Sequence, residues 1–183
     1  GYPLYTLLGH LFCRALHELG ATWPYAANAW SAVGGAVAIF FLHALASRLV
    51  DPGVATGAGA RFAAALLPAA LLAFNPILLG EATYAEVNSW NLAFCCGAAY
   101  CFVTLLRRLA ERGLAESSPG HPSGIHRGAA LWGLLCGVGL AHHLGSVLVS
   151  APLSLGLVAA LTLRRTLRPS LVIAAMAGAL APL

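Results

Sequence analysis

Gly80-Glu-Ala-Thr-Tyr-Ala-Glu-Val-Asn-Ser-Trp-Asn91 places two carboxylates and two carboxamides where one apolar run ends, at residue 79, and another begins, at residue 88. An ionised Glu81 or Glu86 beside hydrocarbon costs several kcal/mol unless water, a cation or a hydrogen-bond network receives it. The stretch therefore reads as a polar turn between two membrane helices, with its carboxylates as candidate functional groups. The simplest alternative is a short solvated loop.

The composition supports a membrane setting. Hydrophobic residues make up 60% of the chain and charged residues 9%, with a mean hydropathy of +0.81, whereas soluble domains carry roughly 25% charged residues. The net charge of +4 comes from ten arginines without a lysine. Nine of these arginines fall in three connectors, residues 48–61, 107–128 and 164–168. That is the positive-inside pattern of a polytopic protein and not a basic face for nucleic acid. Cys13, Cys95, Cys96, Cys101 and Cys136 lie mostly within apolar runs without C-x-x-C spacing, so they read as small buried hydrophobes. The chain starts at Gly1 and stops within an apolar run, which reads as a fragment cut at both ends.

The expected fold is all-α: a polytopic transmembrane helix bundle of about six spans, truncated, preceded by an amphipathic interfacial helix. Residues 1–20 hold that surface helix, with Leu4, Leu7, Leu8, Leu11, Ala15 and Leu19 on one stripe and Thr6, His10, Arg14 and His17 on the other. Gly20 suits its C-terminal stop. Membrane helices are expected at 25–47, 62–79, 88–106, 129–141, 146–163 and 170–183, all in one partial transmembrane domain. Ser31 and Gly35 read as a small-residue packing contact in the first span. In the second, Pro68 predicts a kink and Asn75-Pro76 a break. The apolar run Ala129–Leu163 spans 35 residues, about 52 Å as one helix at 1.5 Å per residue, which is too long for one crossing. Ala141-His-His-Leu-Gly-Ser146 divides it. The first arm is then short, which puts the His pair below the outer surface, in a cavity.

Placing the three arginine-bearing connectors in the cytoplasm leaves two crossings between each pair. Residues 1–25, 80–91 and 141–146 then share the extracytoplasmic side. Carboxylates, carboxamides and imidazoles on one face suit three functions. An enzyme would use a carboxylate to take a proton from a hydroxyl and an imidazole to hold a phosphate or a divalent metal. A carrier or flippase would use the set for proton coupling or head-group binding. A structural subunit would use it only to hold helices together. Inverted repeats, which would favour a transporter, are not evident in the sequence. The remaining histidines, His10, His17, His43, His121 and His126, read as surface or packing residues.

Gly1-Tyr-Pro-Leu-Tyr-Thr-Leu-Leu-Gly9, Asn28-Ala-Trp-Ser-Ala32, Glu81 with Ala85-Glu-Val-Asn-Ser-Trp-Asn91, and Gly139-Leu-Ala-His-His-Leu-Gly-Ser146 occur in an order and spacing that covers nearly the whole chain. In these segments the sequence resembles a family of polytopic membrane proteins, long catalogued as a domain of unknown function and associated with protein O-mannosyltransferases. The resemblance implies a GT-C glycosyltransferase. Such an enzyme moves a sugar, mannose being one option, from a polyprenyl-phosphate donor to a Ser or Thr hydroxyl of a protein or peptide acceptor. It implies an integral protein of the lipid bilayer, in a bacterial inner membrane, with its active face extracytoplasmic. It also implies that the principal catalytic carboxylate lies upstream of Gly1, so this chain alone is expected to be inactive. Glu86 and Glu81 become supporting catalytic residues, and His143, His142, Asn91, Asn88 and Tyr2 become substrate-binding residues. Asn88 stands where the family has a Tyr, and His142 where it has a small or amide residue, so Glu86 and His143 are the better-matched positions. No cofactor is expected, a divalent metal being the one addition these groups would accept.

Overall fold

The computed structural model describes residues 3–50, 57–114, 123–163 and 169–182. Among them it is all-α, with helices α1 (Pro3–Glu18), α2 (Trp23–Leu49), α3 (Ala58–Ala73), α4 (Pro76–Thr83), α5 (Asn88–Leu114), α6 (Ser123–His142), α7 (Val147–Leu163) and α8 (Pro169–Leu180), and a 3₁₀ turn at Leu144–Ser146. Three helical segments, Trp23–Leu49, Asn88–Ala110 and Leu144–Leu163, are long and apolar enough to cross a membrane, and the bent pair α3 and α4 makes a fourth if taken as one span. Their large apolar side chains point outward: Phe40, Leu67, Leu71, Phe74, Leu148, Leu155 and Leu163 are all more than 60% exposed. In water such a surface would aggregate, whereas in lipid it costs nothing. The molecule is an all-α, membrane-type helical protein.

The helix ends follow local chemistry. Gly20 has φ 96°, and around it the Gly20 amide donates to the His17 carbonyl at 2.9 Å and the Ala21 amide to Leu16 at 3.0 Å. This paired closure needs a left-handed residue after the helix, which glycine adopts without strain. Asn75 has extended backbone because Pro76 excludes it from the helical region. Its side-chain oxygen accepts from the amides of Ile77 at 2.9 Å and Leu78 at 3.3 Å, so one residue stops α3 and caps α4. The two helices meet at 64°.

Other boundaries differ from the sequence reading. α3 continues through Pro68 as one helix, which the expected kink allows. α5 extends to Leu114 and α6 begins at Ser123, so much of the polar connector at 107–128 is helical. Charged side chains do not stop a helix, and only residues 115–122 fall outside the described part. The helix that leads into the His pair, α6, is therefore 20 residues long with His142 as its last residue, and the arm is no longer short. Asp51, His121, Arg164, Arg165 and Arg168 also lie outside the described residues.

The chain divides into two compact units, Gly1–Gly97 and Ala98–Leu183. In the first, α2 packs against α1, α3 and α4 through a face of Ala26, Ser31, Gly34, Gly35 and Ala38, all buried. In the second, α6 and α8 lie so close that a methyl group on Gly133 would overlap the Ala175 carbonyl and one on Gly137 the Ala179 carbonyl. Around this seam Leu105, Leu109, Trp132, Leu157, Leu161 and Leu171 form the buried core.

Backbone-to-backbone contact of this kind admits only glycine. Gly137→Leu should cost at least ~2 kcal/mol by overpacking, read as a lower melting temperature in detergent. Gly156→Ala, whose added methyl would sit 3.6 Å from Phe102, should leave stability unchanged.

Candidate functional site

The acidic stretch of the first unit is mostly helical. Gly80, Glu81, Ala82 and Thr83 belong to α4, Asn88 opens α5, and only residues 84–87 leave the helical path. The sequence reading placed Glu81 in a loop; instead it occupies the last turn of α4. The Tyr84 amide still reaches the Gly80 carbonyl at 3.2 Å, and the Glu86 amide reaches Tyr84 at 2.8 Å. Four residues thus turn the chain with most of their polar groups paired.

The partner of this turn is the small face of α2. Ser31, fully buried, donates its hydroxyl to the Glu86 carbonyl at 2.9 Å and accepts the Glu86 amide at 3.0 Å. Tyr5 of α1 adds a longer bond to the same carbonyl, 3.4 Å. Next to them Trp90 donates its indole N–H to the Trp30 carbonyl at 2.9 Å, with the two rings 4.3 Å apart. Gly34 makes room for this, since a side chain there would come within 2.8 Å of Trp90 and 2.9 Å of the Ser89 hydroxyl. Helices α1 and α2 and the acidic turn are one packed group.

Glu81 and Asn88 are brought together directly: the Asn88 amide nitrogen donates to Glu81 Oε2 at 2.7 Å. Glu81 also forms the shared wall of two hollows. One, about 430 Å³, has Asn75, Glu81 and Asn88 at its polar side and Leu72, Leu78 and Leu92 among its apolar lining. The other, about 330 Å³, is bordered by Glu81, Tyr84 and Glu86. Ionised carboxylates accept hydrogen bonds and donate none, so this rim suits a ligand rich in hydroxyls, with an apolar part for the first hollow. Glu86 is exposed while its backbone is held from behind. Asn91 is half-buried in the first turn of α5, its amide bonded to the Val87 carbonyl at 3.1 Å. Tyr2 lies outside the described residues.

The His pair belongs to the second unit. His142 ends α6 with 2% of its surface exposed, so it is a packed residue and not one facing open solvent. His143 caps the 3₁₀ turn: its Nδ1 accepts the Gly145 amide at 2.9 Å. A ring nitrogen that accepts carries no proton, so in the neutral tautomer that fits this bond the proton is on Nε2. Ser146 closes the turn by donating its hydroxyl to the Gly139 carbonyl at 3.0 Å. A neutral N–H donor suits an anionic oxygen better than it suits proton abstraction.

All five cysteines are free thiols, with Cys136 buried and the others half-buried. Burial pushes the Cys13 thiol above its ordinary value, away from nucleophilic use. Among the described residues no three His, Cys, Asp or Glu side chains come together as a metal set. Sequence reasoning missed Tyr5, Tyr84 and the bonding role of Ser31. A hydroxyl within an apolar span was the available signal for Ser31, and it was read as packing.

The His143 tautomer is testable by nitrogen NMR of labelled protein at neutral pH. The expected spectrum shows an unprotonated Nδ1, and Gly145→Ala, whose methyl would lie 2.8 Å from that nitrogen, should shift it.

No curated protein and no solved structure matches the chain. Residues 1–166 match the family described as the protein O-mannosyl-transferase TMEM260 N-terminal domain. This match covers most of the 183 residues, so the chain belongs to that family.

Proposed function

We propose that this chain forms part of a membrane glycosyltransferase that moves a sugar, mannose by the family's description, from a polyprenyl-phosphate carrier to a Ser or Thr hydroxyl of a protein at the extracytoplasmic face. The observation that carries this reading is the rim of Glu81, Tyr84 and Glu86 beside a hollow with an apolar lining. A lipid-linked sugar has the same division, with hydroxyls at one end and a prenyl chain at the other.

The transfer is a displacement. The acceptor oxygen attacks the anomeric carbon, the bond from that carbon to the phosphate oxygen breaks, and polyprenyl phosphate leaves with the electron pair. The hydroxyl proton passes to a carboxylate. Glu86 is proposed to orient the acceptor and to assist in taking that proton. Glu81, held at one oxygen by Asn88, is proposed to receive sugar hydroxyls. His143 is assigned independently: its Nε2–H is proposed to donate to the carrier phosphate. No cofactor is assigned to the reaction, and a divalent metal on the carrier phosphate is the one addition this chemistry would accept.

The test is transfer from polyprenyl-phosphate mannose to a Ser/Thr peptide by the full-length protein. Glu86→Gln should lower kcat by 10²-fold or more, in the range of acid–base groups. His143→Ala should lower the rate by roughly tenfold or more through loss of a charge-assisted bond. Wild-type rates in both folded variants would remove these assignments.

A further inference from the structure

Every helix-interior hydroxyl has an inexpensive partner in its own helix, the carbonyl one turn back. Ser47, Thr83, Ser150, Ser154 and Thr162 each use it, at 2.6 to 2.9 Å. Ser31 does not. It sends its proton across 55 positions to the Glu86 carbonyl and accepts the Glu86 amide with the same oxygen.

A single side chain thereby holds both backbone polar groups of a single residue. That residue lies in the four-residue turn between α4 and α5, where no helical bond ladder fixes the backbone. Fixing the amide and the carbonyl together fixes the direction in which the Cα–Cβ bond leaves the chain. The clasp is fully buried on the α2 side, whereas the Glu86 side chain is exposed on the other. The neighbours of Ser31 favour this arrangement: Gly34 and Gly35 let Ser89, Trp90 and Ala82 approach α2 closely enough for the turn to reach the hydroxyl.

We infer that Ser31 is a positioning residue for the Glu86 carboxylate, acting through the backbone of Glu86 and touching no substrate. This rests on the role proposed above for Glu86. A bulkier hydroxyl would crowd the glycine face, and loss of the hydroxyl would leave the Glu86 carbonyl with only the long Tyr5 contact.

The experiment is a double-mutant cycle in the full-length protein with polyprenyl-phosphate mannose and a Ser/Thr peptide. Ser31→Ala and the nearly isosteric Ser31→Cys are each combined with Glu86→Gln. The expected result is a kcat lowered about tenfold or more by either Ser31 variant, with the KM for donor within about twofold of wild type. In the Glu86→Gln background the same changes should lower kcat less than about twofold, because the group being positioned is already gone. Hydrogen exchange should accelerate at residues 84–88 and stay slow in the middle of α2. A merely structural role would instead give equal losses in both backgrounds, and that additivity would overturn the inference. Unimpaired Ser31 variants beside an impaired Glu86→Gln would overturn it as well while leaving the proposed function in place. A Glu86→Gln protein at wild-type rate would overturn both.

Discussion

A helix in hydrocarbon can satisfy its own backbone, and an interrupted helix cannot, because no water stands by to receive the freed groups. This constraint explains how the described turns of the molecule are built. At Asn75 the carboxamide takes the first amides of α4. At residues 84–87 the freed groups of Glu86 go to Ser31. At residues 143–146 the imidazole of His143 takes the Gly145 amide, and the Ser146 hydroxyl takes the Gly139 carbonyl. Each unsatisfied group would cost several kcal/mol in lipid, so these few side chains decide where an apolar chain can turn.

The close packing of the first unit follows from the second constraint, the absence of a hydrophobic driving force between helices in lipid. Contact must come from shape and hydrogen bonds. The buried face of α2 is therefore built from Ala26, Ser31, Gly34, Gly35 and Ala38, and it receives the aromatic pair Trp30 and Trp90 and the acidic turn in the space those small residues leave. In the second unit α6 and α8 solve the same problem with Gly133, Gly137 and Gly178.

The parts legible in the sequence are those set by local chemistry. Gly20 and Asn75-Pro76 act on their own neighbours, and the helix boundaries found there need no tertiary information. The split of the long apolar run at the His pair was legible from length alone. Pro68 lies inside α3 without ending it. The connector at 107–128 was drawn too long because the expected spans stopped where the apolar runs stop, although Arg and Glu are good helix formers. At the site, the pairing of Glu81 with Asn88 spans only seven positions but depends on the turn at 84–87, which brings the last turn of α4 to the start of α5. Ser31 with Glu86 spans 55, and periodicity carries no information on such a pair.

Glu86 combines a backbone held from two helices with a side chain in the open. Within a bundle whose outer surface is leucine, phenylalanine and alanine, keeping a carboxylate exposed and oriented conflicts with the cheapest solution, which is an apolar residue in a well-paired turn. Neither the α4–α5 connection nor the α2 contact requires a carboxylate at this position, since Ser31 and Tyr5 bind only the peptide groups. The side chain is therefore free of structural duty, and it borders a hollow whose other polar side chains are Glu81 and Tyr84.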